Sequence, residues 1–196
     1  FKALGEIGYA EALAYLKYIV ENDNSPEMKT LATNAIGRID EMAMGLTAGE
    51  LFYSLGDDYY YEKVSLQVRA GYDFGNVWFW DADGGKLYRE EVDIKNFYKI
   101  MAMRSCEWSL KADPNIAKAI GLWIAAFFKV ESTGVGMPAF FGDKHADAMT
   151  YAKTAGAEYL HIALRRAIID NDSYVALNAV EALAANAGEK SLLYRV

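Results

Sequence analysis

Apolar residues recur every three or four positions at both ends of the chain, the spacing that places them on one face of an α-helix. In the N-terminal region two such stretches begin at Tyr9 and at Met28, and the polar segment 22–26 separates them. Ser25 stands where a residue caps a helix N-terminus, and Pro26 suits the first helical position. The pattern predicts a helical hairpin with a short polar turn.

The C-terminal region has the same arrangement, because helical stretches over 160–168 and 175–183 flank the polar turn 170–173. When the two hairpins are aligned on their turns, small and apolar residues coincide in their second helices. A third copy of this pattern stands at 3–7, which matches 35–39 at a spacing of 32 residues. A repeat of this length predicts a solenoid, in which each helical pair buries its apolar face against its neighbours.

These residues resemble HEAT repeats, whose second helix typically carries a proline, an acid, an aliphatic and a basic residue, then alanines, a glycine and a further aliphatic residue. Segment 26–29 reads proline, glutamate, methionine, lysine, and segment 35–39 reads alanine, isoleucine, glycine, arginine, isoleucine. The C-terminal copy departs from this pattern, because 173–176 lacks the proline and the basic residue and Ala184 stands where glycine is usual.

The resemblance spans about 1–40 and 155–190, and it implies an all-α solenoid of stacked antiparallel helix pairs. It also implies a scaffold or protein-interaction role, carried by an extended surface rather than by a pocket. Residues 1–8 look like the end of a repeat whose first helix is missing. We therefore expect one helical repeat domain over 1–196 that belongs to a longer array or meets a partner chain, including a copy of itself, at that end.

The middle of the chain departs from the simple repeat. Residues 47–50 form a capping-box pattern that opens a helix. Two strand-like segments, 76–80 and 86–92, flank the Asp-Gly turn at 81–85. This pattern predicts a small β-hairpin inserted between the helices at about 76–92.

Helical spacing returns over about 94–131 and is interrupted at Asp113 and Pro114, which predicts another helical pair. The junction at 108–115 is similar to the join between tetratricopeptide-type helices. Residues 132–144 contain three glycines and a proline and form the longest predicted loop.

Composition excludes several classes of function. The chain has 20 Lys+Arg against 27 Asp+Glu, a net charge of −7, and no basic cluster, which argues against binding nucleic acid. The longest apolar run, 119–128, is shorter than the roughly 20 residues of a membrane span and predicts a buried helix. The single cysteine, Cys106, excludes an internal disulfide and a multi-cysteine zinc site. The compartment stays open.

One acidic cluster could carry chemistry. Asp143, His145 and Asp147 alternate after the predicted loop and could converge on a cation or supply reactive groups. We prefer the simpler interpretation, in which an aspartate caps the following helix and His145 is solvated. The glycine-containing segments 81–85 and 134–139 fit neither a calcium loop nor a dinucleotide loop. No metal or cofactor is expected, and an enzyme of the lyase or cofactor-handling type near 132–147 is the alternative.

Two runs of adjacent aromatic residues, 59–61 and 78–80, are the stronger functional signal. Neither a helix nor a strand can bury every member of such a run on one face. On a strand, Trp78 and Trp80 share one face while Val77 and Phe79 share the other. Either the rings complete the core, or the exposed ones dock a protein partner or a second copy, with an acidic rim that selects a basic partner. The candidate partner-binding residues are Tyr59, Tyr60, Tyr61, Trp78 and Trp80.

Overall fold

The computed structural model describes residues 1–142 and 144–187, which form a predominantly helical fold with one small antiparallel sheet. Within these residues the helices are α1 (Lys2–Ile7), α2 (Leu13–Asn22), α3 (Pro26–Ile39), α4 (Ala48–Tyr60), α5 (Ile94–Ala112), α6 (Ala117–Ser132), α7 (Ala148–Ala155), α8 (Ala157–Ile169) and α9 (Ser173–Ala187). The strands are β1 (Phe74–Asp81) and β2 (Lys86–Asp93). The predicted mostly helical class with a β-hairpin is therefore confirmed.

The predicted helix starts are set by side-chain caps. The Ser25 hydroxyl accepts a hydrogen bond from the Met28 N–H at 3.3 Å, and Pro26 occupies the first position of α3. At the start of α4, the N–H of Glu50 donates to the Thr47 hydroxyl, and the Glu50 carboxylate accepts from the Thr47 N–H. Both caps satisfy backbone donors that a helix leaves unpaired.

The hairpin is fixed at both ends of its strands. At its tip, the Asp81 carboxylate accepts hydrogen bonds from the N–H groups of Asp83 and Gly84. At its base, β2 runs directly into α5, and the Asp93 carboxylate caps that helix by accepting from the Lys95 N–H at 2.9 Å. The hairpin is thus connected directly to α5, the longest described helix, with no loop between them.

The described helices pack on one another in a series that largely follows the order of the chain. Helix α3 packs against α1 and α2, α2 packs on α4, α4 on α5, α5 on α6, α6 on α8, and α8 on α9. The buried residues form two clusters: one centres on Phe52 and Ile36, and the larger one on Met103, Phe128 and Leu160. Tyr59 packs against both clusters, so the apolar core continues through α4.

Glycines allow two of these helix contacts to be close. A Cβ added to Gly5 would lie 3.2 Å from the Cα of Ala35, where α1 meets α3. A Cβ added to Gly121 would lie 2.6 Å from Ile162 Cγ2, where α6 meets α8. The first contact joins two residues of the aligned sequence copies, whereas Gly121 lies outside them.

The structure refines the expected element bounds. The hairpin extends over 74–93, and the pair predicted at 94–131 corresponds to α5 and α6. Helix α7 is an additional short helix, and a 3₁₀ turn at Ala139–Phe141 interrupts the predicted loop. The last residues of the segment predicted at 155–190, from 188 onward, lie outside the described residues.

The apolar run 119–128 lies within α6, whose residues are mostly buried among other helices, as expected. In the part of the chain that the structure describes, no helix combines the length and hydropathy needed to span a bilayer.

Candidate interaction surface

The inner face of the hairpin packs on the helices. Val77 and Val92 are buried, and Phe79 stacks on Tyr88 with ring centroids 5.2 Å apart. The Arg104 guanidinium of α5 lies 4.5 Å from the centroid of the Phe79 ring, a favourable cation–π contact. Because Gly75 lacks a side chain, the Phe97 ring of α5 can approach the strand closely. The hairpin is therefore held against the helices by these inner-face residues.

The outer face of the hairpin exposes large apolar side chains. Trp78 is 55% exposed, Trp80 is 63% exposed, and Leu87, which pairs with Trp80 across the strands, is also 63% exposed. Among the described residues, neither indole stacks on another ring. Two tryptophans and a leucine on one face of a two-stranded sheet form a contiguous apolar surface, which we call the tryptophan face.

The hairpin that carries the tryptophan face is rich in charged residues. The hairpin, residues 74–93, carries five acidic and two basic side chains. Arg89 forms a loose ion pair with Glu91 at 3.7 Å, and both side chains remain about half exposed. The local charge is therefore negative, in keeping with the expected acidic rim. The charged residues are Asp81, Asp83, Lys86, Arg89, Glu90, Glu91 and Asp93.

The three tyrosines 59–61 at the end of α4 do not form a shared exposed patch, as a docking surface would require. Tyr60 is 2% exposed, so its inclusion in the docking surface is wrong: the α-helical turn directs its ring inward, toward α6 and α8. Tyr59 is partly buried between the two core clusters, and burial raises its pKa to about 12. Only Tyr61 is exposed among the three.

Tyr61 belongs to a polar network. Its hydroxyl donates a hydrogen bond to the Asp170 carboxylate at 2.8 Å and accepts one from Arg166 at 2.9 Å. Burial and the hydrogen bond to Asp170 raise the pKa of Tyr61 to about 12. The hydroxyl therefore stays protonated at neutral pH and acts as a fixed link between α4 and the end of α8.

Arg166 is the centre of this network. Its guanidinium lies 2.7 Å from the Asp57 carboxylate and donates to the Tyr53 hydroxyl at 3.0 Å. It also lies over the Tyr60 ring, at 5.2 Å from the centroid. Sequence reasoning missed this network because its members are more than a hundred positions apart and show no local pattern. It joins α4 to α8 and is structural in character.

The cluster after the predicted loop does not assemble a site in the described residues. Asp147 caps α7 by accepting from the Thr150 N–H at 2.7 Å, as the simpler interpretation predicts. The His145 ring lies near the rings of Phe127 and Phe141, with centroids 6.3 and 6.2 Å away. Asp143 lies outside the described residues. Within 1–142 and 144–187, no group of three or more acidic, histidine or cysteine side chains is arranged to hold a metal ion.

Of the five predicted partner-binding residues, Trp78 and Trp80 therefore lie together on one exposed surface, the tryptophan face. Comparison with protein-family models, curated proteins and solved structures finds no match to this chain.

Proposed function

We propose that this chain is a non-enzymatic interaction scaffold, a HEAT-like solenoid of stacked helix pairs that binds a protein partner through the tryptophan face. The observation that carries this proposal is the joint exposure of Trp78, Trp80 and Leu87 on a hairpin whose opposite face is packed on the helices.

The chemistry of the surface supports a protein partner. Tryptophan buries a large area at a small loss of conformational entropy, and it is enriched among the residues that dominate binding energy at interfaces. The packing of Val77 and Phe79 against the helical body fixes the position of the strand before binding. A surface organised in advance loses less entropy on association than a flexible loop does.

The helical body supports the scaffold part of the proposal. The described helices pack in a neighbour-to-neighbour series, and the aligned sequence copies fall on α1, α3 and α9. In a solenoid, each repeat contacts mainly its neighbours, and a terminal repeat has a polar outer face unless another repeat or a partner covers it. Leu4 and Ile7 of α1 are exposed, which favours continuation of the array or contact with another chain at that helix.

The test begins with affinity capture from an extract of the source cells, using the wild-type chain, the Trp78→Ala/Trp80→Ala double variant and a Leu177→Ala control. The control removes an exposed leucine on α9, outside the tryptophan face. A protein recovered by the wild type is then purified, and its Kd for the three chains is measured by calorimetry.

We expect the wild type and Leu177→Ala to bind alike. We expect the double variant to bind about 30-fold or more weakly, because two truncated aromatic anchors each remove at least about 1 kcal/mol. Equal affinities for all three chains would remove the tryptophan face from the site. Mass in solution over a concentration series shows in parallel whether a second copy is the occupant.

A further inference from the structure

We propose that the outer edge of β2 receives a third strand, an extended and basic segment of the partner protein. This inference rests on the proposed function, since it assigns the partner's chemistry and its mode of binding at the same hairpin.

Both edges of the sheet are open in the described residues. The sheet has two strands, and the backbone groups of β1 and β2 form no backbone hydrogen bonds to any other described element. An edge strand presents a row of N–H and C=O groups that an incoming strand can pair with. The hairpin therefore offers a template for β-strand addition.

The edge of β2 is the more accessible of the two. Two of the eight residues of β1 are buried and two are exposed, whereas β2 has one buried residue, Val92, and six exposed ones. An added strand beside β2 continues the outer face, so its side chains on that side lie next to Leu87. Trp80 pairs with Leu87 one strand further in, and its large indole can reach the same side chains.

The negative charge of the hairpin favours a positively charged partner segment. Its five acidic side chains against two basic ones favour a segment rich in lysine or arginine. Glu90 has no ion pair among the described residues and lies on the face opposite to the tryptophans. A second copy of the chain brings a net charge of −7 to an already acidic surface, which opposes its approach.

The pleat of the added strand determines which of its residues lie on each face of the sheet. Successive side chains of a strand point to opposite faces. On the outer face, one apolar residue of the added strand meets Leu87 and Trp80, and the same face continues with Arg89 and Glu91. On the other face, a basic residue meets Glu90. The paired part of the partner segment is therefore extended, no longer than the eight residues of β2, and places aliphatic residues on one face and basic residues on the other.

The probe is a fluorescently labelled nine-residue peptide that alternates isoleucine and lysine, titrated with the full chain and followed by anisotropy. Three further peptides serve as controls. One carries glutamate in place of lysine, and two are N-methylated at alternate residues, one at the odd and one at the even positions. Each N-methylated peptide loses the N–H donors of one edge only.

We expect the isoleucine–lysine peptide to bind, and the isoleucine–glutamate peptide to bind at least tenfold more weakly. N-methylation on the edge that faces β2 removes the donors for the ladder and weakens binding about tenfold or more, whereas the other N-methylated peptide binds nearly as well as the parent. The Glu90→Lys/Glu91→Lys variant loses affinity for the lysine peptide. A Glu158→Lys/Glu181→Lys variant on α8 and α9 changes the net charge by the same amount, serves as the matched surface-charge control and binds unchanged.

The outcomes separate this inference from the proposed function. Failure of the lysine peptide to bind, or equal effects of the two N-methylated peptides, overturns strand addition at β2. If at the same time the Trp78→Ala/Trp80→Ala variant loses the captured partner, the tryptophan face remains the docking site without a third strand. If the variant keeps that partner, the proposed function fails as well.

Discussion

Val77 and Trp78 are consecutive residues of β1 with opposite environments: Val77 is 1% exposed, and Trp78 is 55% exposed. The alternation follows from the pleat of a strand whose one face rests on α5. These two neighbours therefore have different roles. Val77 attaches the strand to the helices, and Trp78 remains available for contact with a partner.

This separation predicts different effects on stability. Val77→Ala removes buried methyl groups and should lower the free energy of unfolding by about 2 kcal/mol. Trp78→Ala should change it by less than about 1 kcal/mol, because only cross-strand contacts at the surface are lost. Urea unfolding followed by circular dichroism measures both values. A loss for Trp78→Ala as large as that for Val77→Ala would show that the indole is part of the core.

Two helical glycines provide a matched pair. In Gly121→Ala the new Cβ would overlap Ile162, at 2.6 Å from its Cγ2, so α6 and α8 must separate. We expect a loss of about 1 to 3 kcal/mol in the free energy of unfolding. In Gly37→Ala on α3 the nearest atom is the Met44 sulfur at 3.8 Å, and the gain in helix propensity should stabilise the protein by about 0.5 to 1 kcal/mol. Thermal unfolding of the two variants should shift in opposite directions, and shifts of the same sign would contradict the close α6–α8 contact.

Arg165 and Arg166 are adjacent in α8 but differ in their contacts. Arg166→Met removes the partner of Asp57 and of the Tyr53 and Tyr61 hydroxyls, so we expect a loss of about 1 to 3 kcal/mol. Arg165 is exposed, and Arg165→Met should stay within about 0.5 kcal/mol of the wild type. Denaturant unfolding compares the two variants. Equal effects would mean that the network does not stabilise the α4–α8 contact.

The start of α9 predicts a dependence on pH. Burial alone would raise the pKa of Asp172, but the N–H of Val175 and the ammonium group of Lys129, 3.0 Å away, lower it below its ordinary value. The unfolded chain then takes up this proton at a higher pH than the folded one. The stabilisation is fully present above the unfolded pKa of about 3.9 and is lost as the pH falls through the lower folded pKa.

Asp172→Asn isolates this contribution, since asparagine also caps a helix but carries no charge. We expect the variant to be less stable than the wild type by about 1 kcal/mol at pH 7. The difference should stay constant down to about pH 5 and shrink below about pH 4. Urea unfolding at a series of pH values measures it. A difference that persists unchanged at pH 2.5 would show that the charge of Asp172 is not its source.

Local signals in the sequence predicted the local structure well. Ser25 and Pro26 mark the start of α3, the Thr47 and Glu50 pair marks α4, and the alternation around Trp78 predicts the two faces of the hairpin. Capping and strand alternation depend on residues a few positions apart, which a single sequence displays directly.

Features that depend on distant residues could not be predicted in this way. The inward position of Tyr60 is set by α6 and α8, whose residues follow it by more than fifty positions. The contacts of Arg166 with Tyr53, Asp57 and Tyr61 arise from the packing of α8 near α4. Three adjacent tyrosines at the end of a helix do not reveal which ring a neighbouring element will cover.

Hydrogen–deuterium exchange tests the central claim most directly. The exchange of backbone amides is measured for the chain alone and with its purified captured partner. The account predicts slower exchange in residues 74–93 upon binding, and unchanged exchange in peptides from α9. Slower exchange confined to other elements, with the hairpin unaffected, would contradict the assignment of the tryptophan face as the binding surface.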